Sequence, residues 1–72
     1  MITGFTHNNR NIIITNANKW VGIKRVVNVI DATDHKKRHF LAELEVETVD
    51  GIFVLDWVAD AALEYLEQQK AA

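Results

Sequence analysis

The 72-residue chain contains no cysteine, no proline and no serine. Without thiols it can form neither disulfides nor thiolate metal sites, and nothing indicates an oxidising compartment. Nucleophilic catalysis by a hydroxyl would rest on threonine alone, and internal threonine nucleophiles are rare. Glycine occurs only at positions 4, 22 and 51, which excludes a phosphate-binding loop and a dinucleotide-binding motif. We therefore expect no enzyme and no cofactor.

Long apolar runs are absent as well. No segment approaches the roughly 20 apolar residues that a membrane-spanning helix needs, and residues 1–5 lack the basic and apolar regions of a signal peptide. We expect a cytoplasmic protein without membrane contact. Hydrophobic residues make up 49% of the chain, which predicts one compact domain over residues 1–72. Because so short a chain buries only a small core, we expect good packing or a homodimer to supply stability.

Charge is distributed unevenly along the sequence. Residues 1–39 carry seven lysines and arginines against two aspartates, and residues 40–72 carry eight acidic residues against one lysine. The two parts have formal charges of +5 and −7, which give the net charge of −2. Such asymmetry indicates either a charged partner or neutralisation of one part by the other within the fold.

Alternating apolar and polar residues predict a β-sheet. The predicted strands cover residues 12–14, 20–31, 40–49 and 52–55, and residues 1–10 are expected to form a loop or a partly ordered segment. Asp50-Gly51 is a residue pair typical of the two-residue type I′ hairpin turn. From Asp56, a candidate N-cap, the apolar residues recur with helical period. The sequence predicts an α+β fold: an antiparallel four-stranded meander (β-β-β-β-α) with one C-terminal amphipathic helix packed on the sheet.

The predicted turn also sets a strand register. Phe53 should oppose Thr48, and a consistent register for the preceding hairpin places Val27 opposite Leu44 and Lys24 opposite Glu47. The predicted core comprises Ile23, Val27, Val29, Phe40, Leu44, Val46, Phe53, Leu55, Val58, Ala62 and Leu66. The second sheet face is also rich in apolar residues, so either the N-terminal segment, a curl of the sheet or a second chain should cover it.

Carboxylates form two clusters with helical or strand spacing. They are Glu43, Glu45 and Glu47 on one strand face, and Asp60, Glu64 and Glu67 on the polar side of the helix. The simplest interpretation is two solvated surfaces, with Lys24 as the counter-charge of the strand cluster. The functional hypothesis is an acidic surface that binds a basic protein partner through Asp60, Glu64, Glu67, Glu43 and Glu45. Carboxylates near a helix C-terminus oppose the macrodipole, which favours this second interpretation.

Cations and tryptophans provide the other candidate sites. Lys36, Lys37 and Arg38 fall in a predicted hairpin turn that would contact phosphates, and Trp20 would stack on an unpaired base. Such turns usually serve solubility, and the acidic pI and absence of a nucleic-acid-binding motif disfavour this role. Trp20 and Trp57 stand at element ends, where aromatic residues usually seal the core. If exposed, they are candidate anchors for a protein partner.

Metal binding has one candidate segment. Asp31, Asp34, His35 and His39 offer oxygen and nitrogen ligands, but their spacing matches no diagnostic pattern and suits a solvated hairpin loop equally well. We predict no metal site.

No motif in the sequence identifies a reaction. We expect a small non-catalytic protein–protein interaction module, homodimeric and with a protein partner. Its compact acidic character suits a regulator or inhibitor of a larger nucleic-acid-handling protein, of the kind that phages and mobile elements carry. The alternative is a nucleic-acid-binding accessory protein that uses the basic turn.

Overall fold

A computed structural model describes residues 1–71, apart from the side chains of residues 70 and 71. The elements are β1 (Thr3–His7), β2 (Arg10–Val21), β3 (Lys24–Asp34), β4 (Lys37–Val46), β5 (Thr48–Val49), β6 (Ile52–Phe53) and α1 (Leu55–Ala71). The first four strands form an antiparallel sheet in the order β1-β2-β3-β4, and α1 packs on one of its faces. The predicted α+β fold is confirmed.

The first strand of the sheet lies where a loop was expected. Thr3–His7 pairs with the start of β2, so the loop expectation for residues 1–10 is wrong there. Asn8 and Asn9 connect the two strands with φ of 50° and 64°. Asparagine tolerates this left-handed conformation, which a type I′ hairpin turn requires at both central residues. The polar pair that reads as a loop therefore closes a hairpin.

The predicted second strand is divided in two. Trp20 and Val21 end β2, and a two-residue turn at Gly22-Ile23 leads into β3. Gly22 has a φ of 63°, a value that glycine adopts without the steric cost of a side chain. Ile23 consequently lies in the turn and is 84% exposed, so its assignment to the core was wrong. The sequence conceals this turn because Gly22 stands between the β-branched residues Val21 and Ile23, which favour a strand.

The predicted fourth strand lies outside the main sheet. Its residues 52–53 form β6, which pairs only with β5. The Asp50-Gly51 turn and the pairing of Thr48 with Phe53 are confirmed, with φ of 52° and 77° at the two turn residues. Leu55 begins the helix and is exposed, contrary to its predicted burial.

A one-residue irregularity in β4 reverses the expected orientation of Phe40. The register that places Val27 opposite Leu44 is confirmed, and it continues as Val29 opposite Ala42. The next pair is Ile30 with Phe40, so Leu41 is an extra residue in β4. Because a slip of one residue exchanges the two sheet faces, Leu41 packs against the core, and Phe40 is 61% exposed rather than buried.

The core lies between α1 and strands β2, β3 and β4. Its buried residues are Ile12, Ile14, Val27, Val29, Val46, Val58, Ala62 and Leu66, with Leu44 and Phe53 half-buried beside them. Every predicted core residue except Ile23, Phe40 and Leu55 therefore packs in this cluster. Ile12 and Ile14 were predicted as a strand but not as core. They are buried because β2 is an inner strand beneath the helix.

The opposite face of the sheet, turned away from α1, is here called the open face. Lys19 on β2 and Glu43 on β4 form an ion pair of 2.7 Å between Nζ and Oε2. Since β3 lies between these strands, the pair crosses β3, where Val26 is only 3% exposed. The chain thus covers part of its own open face. Lys19, and not Lys24 as predicted, is the counter-charge of Glu43.

Glu47 also departs from its predicted place. It lies between β4 and β5 rather than opposite Lys24, whose strand partner is Val21. Only Glu43 and Glu45 of the strand cluster therefore share a strand.

Candidate functional site

Exposed apolar side chains gather at one end of the sheet, which we call the apolar end. They are Trp20, Val21, Ile23, Val49, Ile52, Leu55 and Trp57. The turn between β2 and β3, the β5–β6 hairpin and the first turn of α1 supply them. Among the other residues that the structure describes, Met1 and Phe40 are the large hydrophobic residues of comparable exposure. The apolar end is thus a local concentration and not a general property of the surface.

Arg25 joins the β5–β6 hairpin to the sheet at this end. Its guanidinium lies 5.1 Å from the ring centroid of Trp20 and 4.6 Å from that of Phe53. Nη1 donates a hydrogen bond of 3.1 Å to the carbonyl of Gly51. Contacts of a cation with aromatic faces stabilise by about 0.5–1 kcal/mol at exposed sites and by more when desolvated. The stack therefore fixes the hairpin and presents Ile52 and Val49 to solvent.

The Arg25 stack was not predicted from the sequence. Trp20 and Arg25 become cross-strand neighbours only once the chain turns at Gly22. Gly22 was the available signal. A single glycine between residues that favour a strand, here Val21 and Ile23, often marks a turn or a bulge. Nε of Arg25 is buried without an acceptor among the described residues.

Both tryptophans singled out in the sequence lie at the apolar end. Trp20 is 53% exposed and Trp57 is 45% exposed. Trp57 lines a shallow groove with Glu45, Val46 and Glu47. Neither ring is sealed in the core, so both meet the condition set above for anchors of a protein partner.

The predicted acidic surface is partly assembled. Glu45 and Glu64 line one groove between β4 and α1, together with Leu44 and Tyr65. Asp60 and Glu67 are exposed on the same helix. Glu43, in contrast, is directed to the open face by its ion pair with Lys19.

Further carboxylates surround the apolar end. Glu47 precedes β5, Asp50 lies in the β5–β6 turn, and Asp56 lies in the first turn of α1. All three are exposed. The apolar end therefore has an acidic rim.

The three turn cations lie far from the tryptophans. Lys36 lies in the turn between β3 and β4, Lys37 and Arg38 begin β4, and all three are exposed. Trp20 lies beside the start of β3 and this turn follows its end, so the eleven residues of β3 separate them by roughly 30 Å at the usual strand rise. The combined site of basic turn and stacking Trp20 is not brought together.

A polar network closes the same end of the sheet as the basic turn. Asp31 accepts hydrogen bonds from the amide and the hydroxyl of Thr33, and Oγ1 of Thr33 accepts one of 2.9 Å from the amide of Asn11. Nε of Arg10 lies 3.4 Å from Oδ2 of Asp31. We call these four residues the polar network. It links β2 to β3, and the Asp-x-Thr spacing was the signal that could have predicted the hydrogen bonds from Thr33 to the Asp31 carboxylate.

The polar network lowers the pKa of Asp31 below its ordinary value. The main cause is the hydrogen bond from the Thr33 hydroxyl to the carboxylate, followed by the one from the Thr33 amide. Partial burial opposes the shift, and the positive charges of Arg10 and His39 add to it. Asp31 is thus held in its ionised form by the fold.

Two of the four candidate metal ligands, Asp31 and Asp34, make other contacts. Asp31 belongs to the polar network, and Asp34 accepts a hydrogen bond of 2.9 Å from the amide of Lys36. The part of the chain that the structure describes contains no group of three or more histidines or carboxylates placed to hold a metal ion.

A groove of about 470 Å³ separates the β1–β2 turn from the C-terminal part of α1. Its lining includes His7, Arg10, Tyr65 and Gln69. The Tyr65 hydroxyl donates to the carbonyl of Leu41 at 3.4 Å, and Arg10 faces Asp31. Since these polar groups are already engaged, the groove presents no converging set of acid, base and nucleophile.

Within the described residues, no helix is long and apolar enough to cross a membrane. Comparison with protein-family models, with curated proteins and with solved structures finds no match to this chain.

Proposed function

We propose that this chain is a small non-catalytic protein–protein interaction module whose partner binds at the apolar end. The observation that carries the proposal is the gathering of seven exposed apolar side chains, two of them tryptophans, at one end of a small domain. Exposed apolar groups that cluster are typical of interaction surfaces, whereas scattered ones are not. Tryptophan is also the residue most enriched among those that dominate binding energy.

The acidic rim indicates the chemistry of the partner. Glu47, Asp50 and Asp56 surround the apolar side chains, and Asp60 follows one helical turn later. An interface with an apolar centre and a charged rim selects a partner of opposite charge. We therefore propose a partner that presents apolar pockets bordered by lysine and arginine. Nucleic-acid-handling proteins carry such surfaces, and occupation of one would make this chain a regulator or inhibitor.

Site-specific photocrosslinking in the native host tests this proposal. A benzophenone amino acid at position 23 or 52 should crosslink to one and the same protein, because both side chains project from the apolar end. The same label at position 40 is the control, since Phe40 is also a well-exposed apolar residue but lies elsewhere. Absence of any crosslinked protein, or the same protein at all three positions, would contradict the proposal.

The purified complex then allows a quantitative test. Ile23→Ser combined with Ile52→Ser should weaken binding by about 30-fold or more, the effect expected for loss of interface anchors. Both side chains are solvent-exposed, so the folded chain should keep its stability within about 0.5 kcal/mol. Phe40→Ser is the matched control and should bind the partner like the parent in isothermal titration calorimetry.

The basic turn supports a second candidate, sequence-independent contact with nucleic acid. Lys36, Lys37 and Arg38 are exposed, and none forms an ion pair within the described chain. Binding of labelled single- and double-stranded oligonucleotides at low salt should then be lost when all three are changed to alanine. A parent chain that binds no oligonucleotide at low salt would exclude this function.

A further inference from the structure

Strand β4 is an edge of the sheet with a free side. This ten-residue strand pairs with β3, and no other strand of the described chain pairs with it. At the irregularity, the carbonyl of Leu41 accepts a hydrogen bond from Tyr65. An edge strand offers unpaired amides and carbonyls to another strand, and proteins commonly place charges on edges to prevent this.

The charges on β4 are separated by sign along the strand. Its start and the preceding turn carry Lys36, Lys37 and Arg38, and its end carries Glu43 and Glu45, followed by Glu47. Charges of a single sign would repel a second copy in either orientation. Here, a second copy in parallel orientation would place like charges side by side, but an antiparallel copy would place opposite charges together.

One antiparallel register pairs two of the basic side chains, Lys36 and Arg38, with exposed carboxylates of the other copy. With the symmetry axis between Leu41 and Ala42, Arg38 of one copy lies opposite Glu45 of the other, and Lys36 lies opposite Glu47. Glu43 needs no such partner, since Lys19 of its own chain pairs with it. Opposite-charge pairs across strands each contribute about 0.2–1 kcal/mol, and the symmetry repeats each pair.

The helix adds to this complementarity. Glu64 lines a groove beside the acidic end of β4 with Glu45, so the basic turn of a second copy would approach three carboxylates, those of Glu45, Glu47 and Glu64. Phe40, 61% exposed on the open face, would gain a neighbour in the second copy.

We propose that two copies of this chain associate by antiparallel pairing of their β4 strands. The product is a continuous sheet of twice the four strands of one copy, with both helices on the same face. The two apolar ends then point in opposite directions. This pairing shares Glu47 with the acidic rim but leaves the exposed side chains of the apolar end outside the contact, so each proposal can fail without the other.

Complementary charge reversal tests the pairing. Lys36→Glu/Arg38→Glu makes β4 acidic at both ends, and Glu45→Lys/Glu47→Lys makes it basic at both ends. Each variant alone should dimerise at least about tenfold more weakly than the parent in sedimentation equilibrium, whereas an equimolar mixture should form a heterodimer. Circular dichroism verifies that each variant is folded, and Ile23→Ser/Ile52→Ser should dimerise like the parent.

Crosslinking supplies the orientation and does not depend on charge-reversed variants. The chain has no cysteine, so Arg38→Cys and Glu45→Cys introduce single thiols. A short bismaleimide should link the two variants to each other when mixed, and should link neither to itself. A parent that stays monomeric at millimolar concentration, charge-reversed variants that dimerise like the parent, or self-linking of Arg38→Cys would each overturn the proposal.

Discussion

Two-residue hairpin turns connect the strands at both ends of the sheet, but the two ends leave very different surfaces. At one end, the polar network of Arg10, Asn11, Asp31 and Thr33 satisfies its donors and acceptors internally. At the other, the stack on Arg25 positions the β5–β6 hairpin so that its apolar side chains face solvent. The polar network forms its hydrogen bonds within the chain, whereas the apolar end leaves apolar area in water.

The difference lies in how each end contributes to stability. Exposed apolar side chains contribute little to folding, because the hydrophobic effect requires their removal from water. The apolar end nevertheless has a defined shape, held by a guanidinium between two rings. A rigid apolar surface of this kind is the arrangement expected for binding, since less conformational entropy is lost when a partner arrives.

The largest loss of stability is expected when the contacts of Arg25 with the aromatic rings are broken at the apolar end. Trp20→Ala removes one ring from Arg25 and should lower the free energy of unfolding by about 2 kcal/mol, because a half-buried tryptophan and a cation–π contact are lost together. Urea denaturation followed by circular dichroism measures the change. Trp20→Phe keeps a ring at Arg25 and should retain most of the stability. A loss below about 0.5 kcal/mol for Trp20→Ala would show that other contacts hold the hairpin.

A smaller loss of stability is expected at the end of the sheet that carries the polar network. Asp31→Asn should lower stability at neutral pH by about 1 kcal/mol, since the amide is a weaker acceptor for Thr33 and cannot pair with Arg10. The pKa of Asp31 lies below its ordinary value of 3.8 in the folded chain. Its contribution is therefore present above that value and is lost as the pH falls through the folded pKa.

The pH dependence provides the check on this explanation. The difference in melting temperature between the parent and Asp31→Asn should narrow as the pH is lowered from 7 to about 3. Thr33→Val removes the hydroxyl donor, which is the main cause of the lowered pKa of Asp31. The melting temperature of this variant should therefore fall less than that of the parent as the pH is lowered. A difference that stays constant over this range would contradict the assigned role of the ionised carboxylate.

The smallest loss of stability is expected for the ion pair on the open face, which lies between the two ends of the sheet. Lys19→Met breaks the ion pair with Glu43 and should cost about 0.5 kcal/mol, since both side chains are partly exposed. The loss should diminish at high salt, which screens the parent's pair. Thermal denaturation of dilute protein at low and high salt measures it, with Lys37→Met as a control that should change less. Equal losses of stability in the two variants would show that the ion pair of Lys19 with Glu43 contributes nothing beyond the general effect of removing a lysine.

Much of the fold could be predicted because its local signals agree with the final packing. The alternation of apolar and polar residues predicted most of β3 and β4. The Asp50-Gly51 pair predicted the turn between β5 and β6. Helical periodicity placed Val58, Ala62 and Leu66 in the core. In each case one residue pattern satisfies both the local backbone and the burial of apolar surface.

The remaining features depend on contacts between segments distant in sequence. Asn8-Asn9 and Gly22 form turns only because the strands beside them pair, and the extra residue Leu41 is fixed by the packing of β4. The polar pair Asn8-Asn9 also fits a loop, and the single Gly22 is too weak a signal to divide a strand-like segment with certainty. The candidate site follows the same rule. The apolar end exists because the turn at Gly22 and the β5–β6 hairpin meet at Arg25, so the sequence identified both tryptophans without placing them together.

One measurement tests the central claim that the apolar end is the binding surface. Both tryptophans of the chain lie there, so 5-fluorotryptophan labelling gives two ¹⁹F resonances that report on this end. Addition of the crosslinked partner in purified form should shift or broaden both resonances, and Ile23→Ser/Ile52→Ser should abolish the change. Two resonances that stay unaltered while a complex forms would contradict the claim.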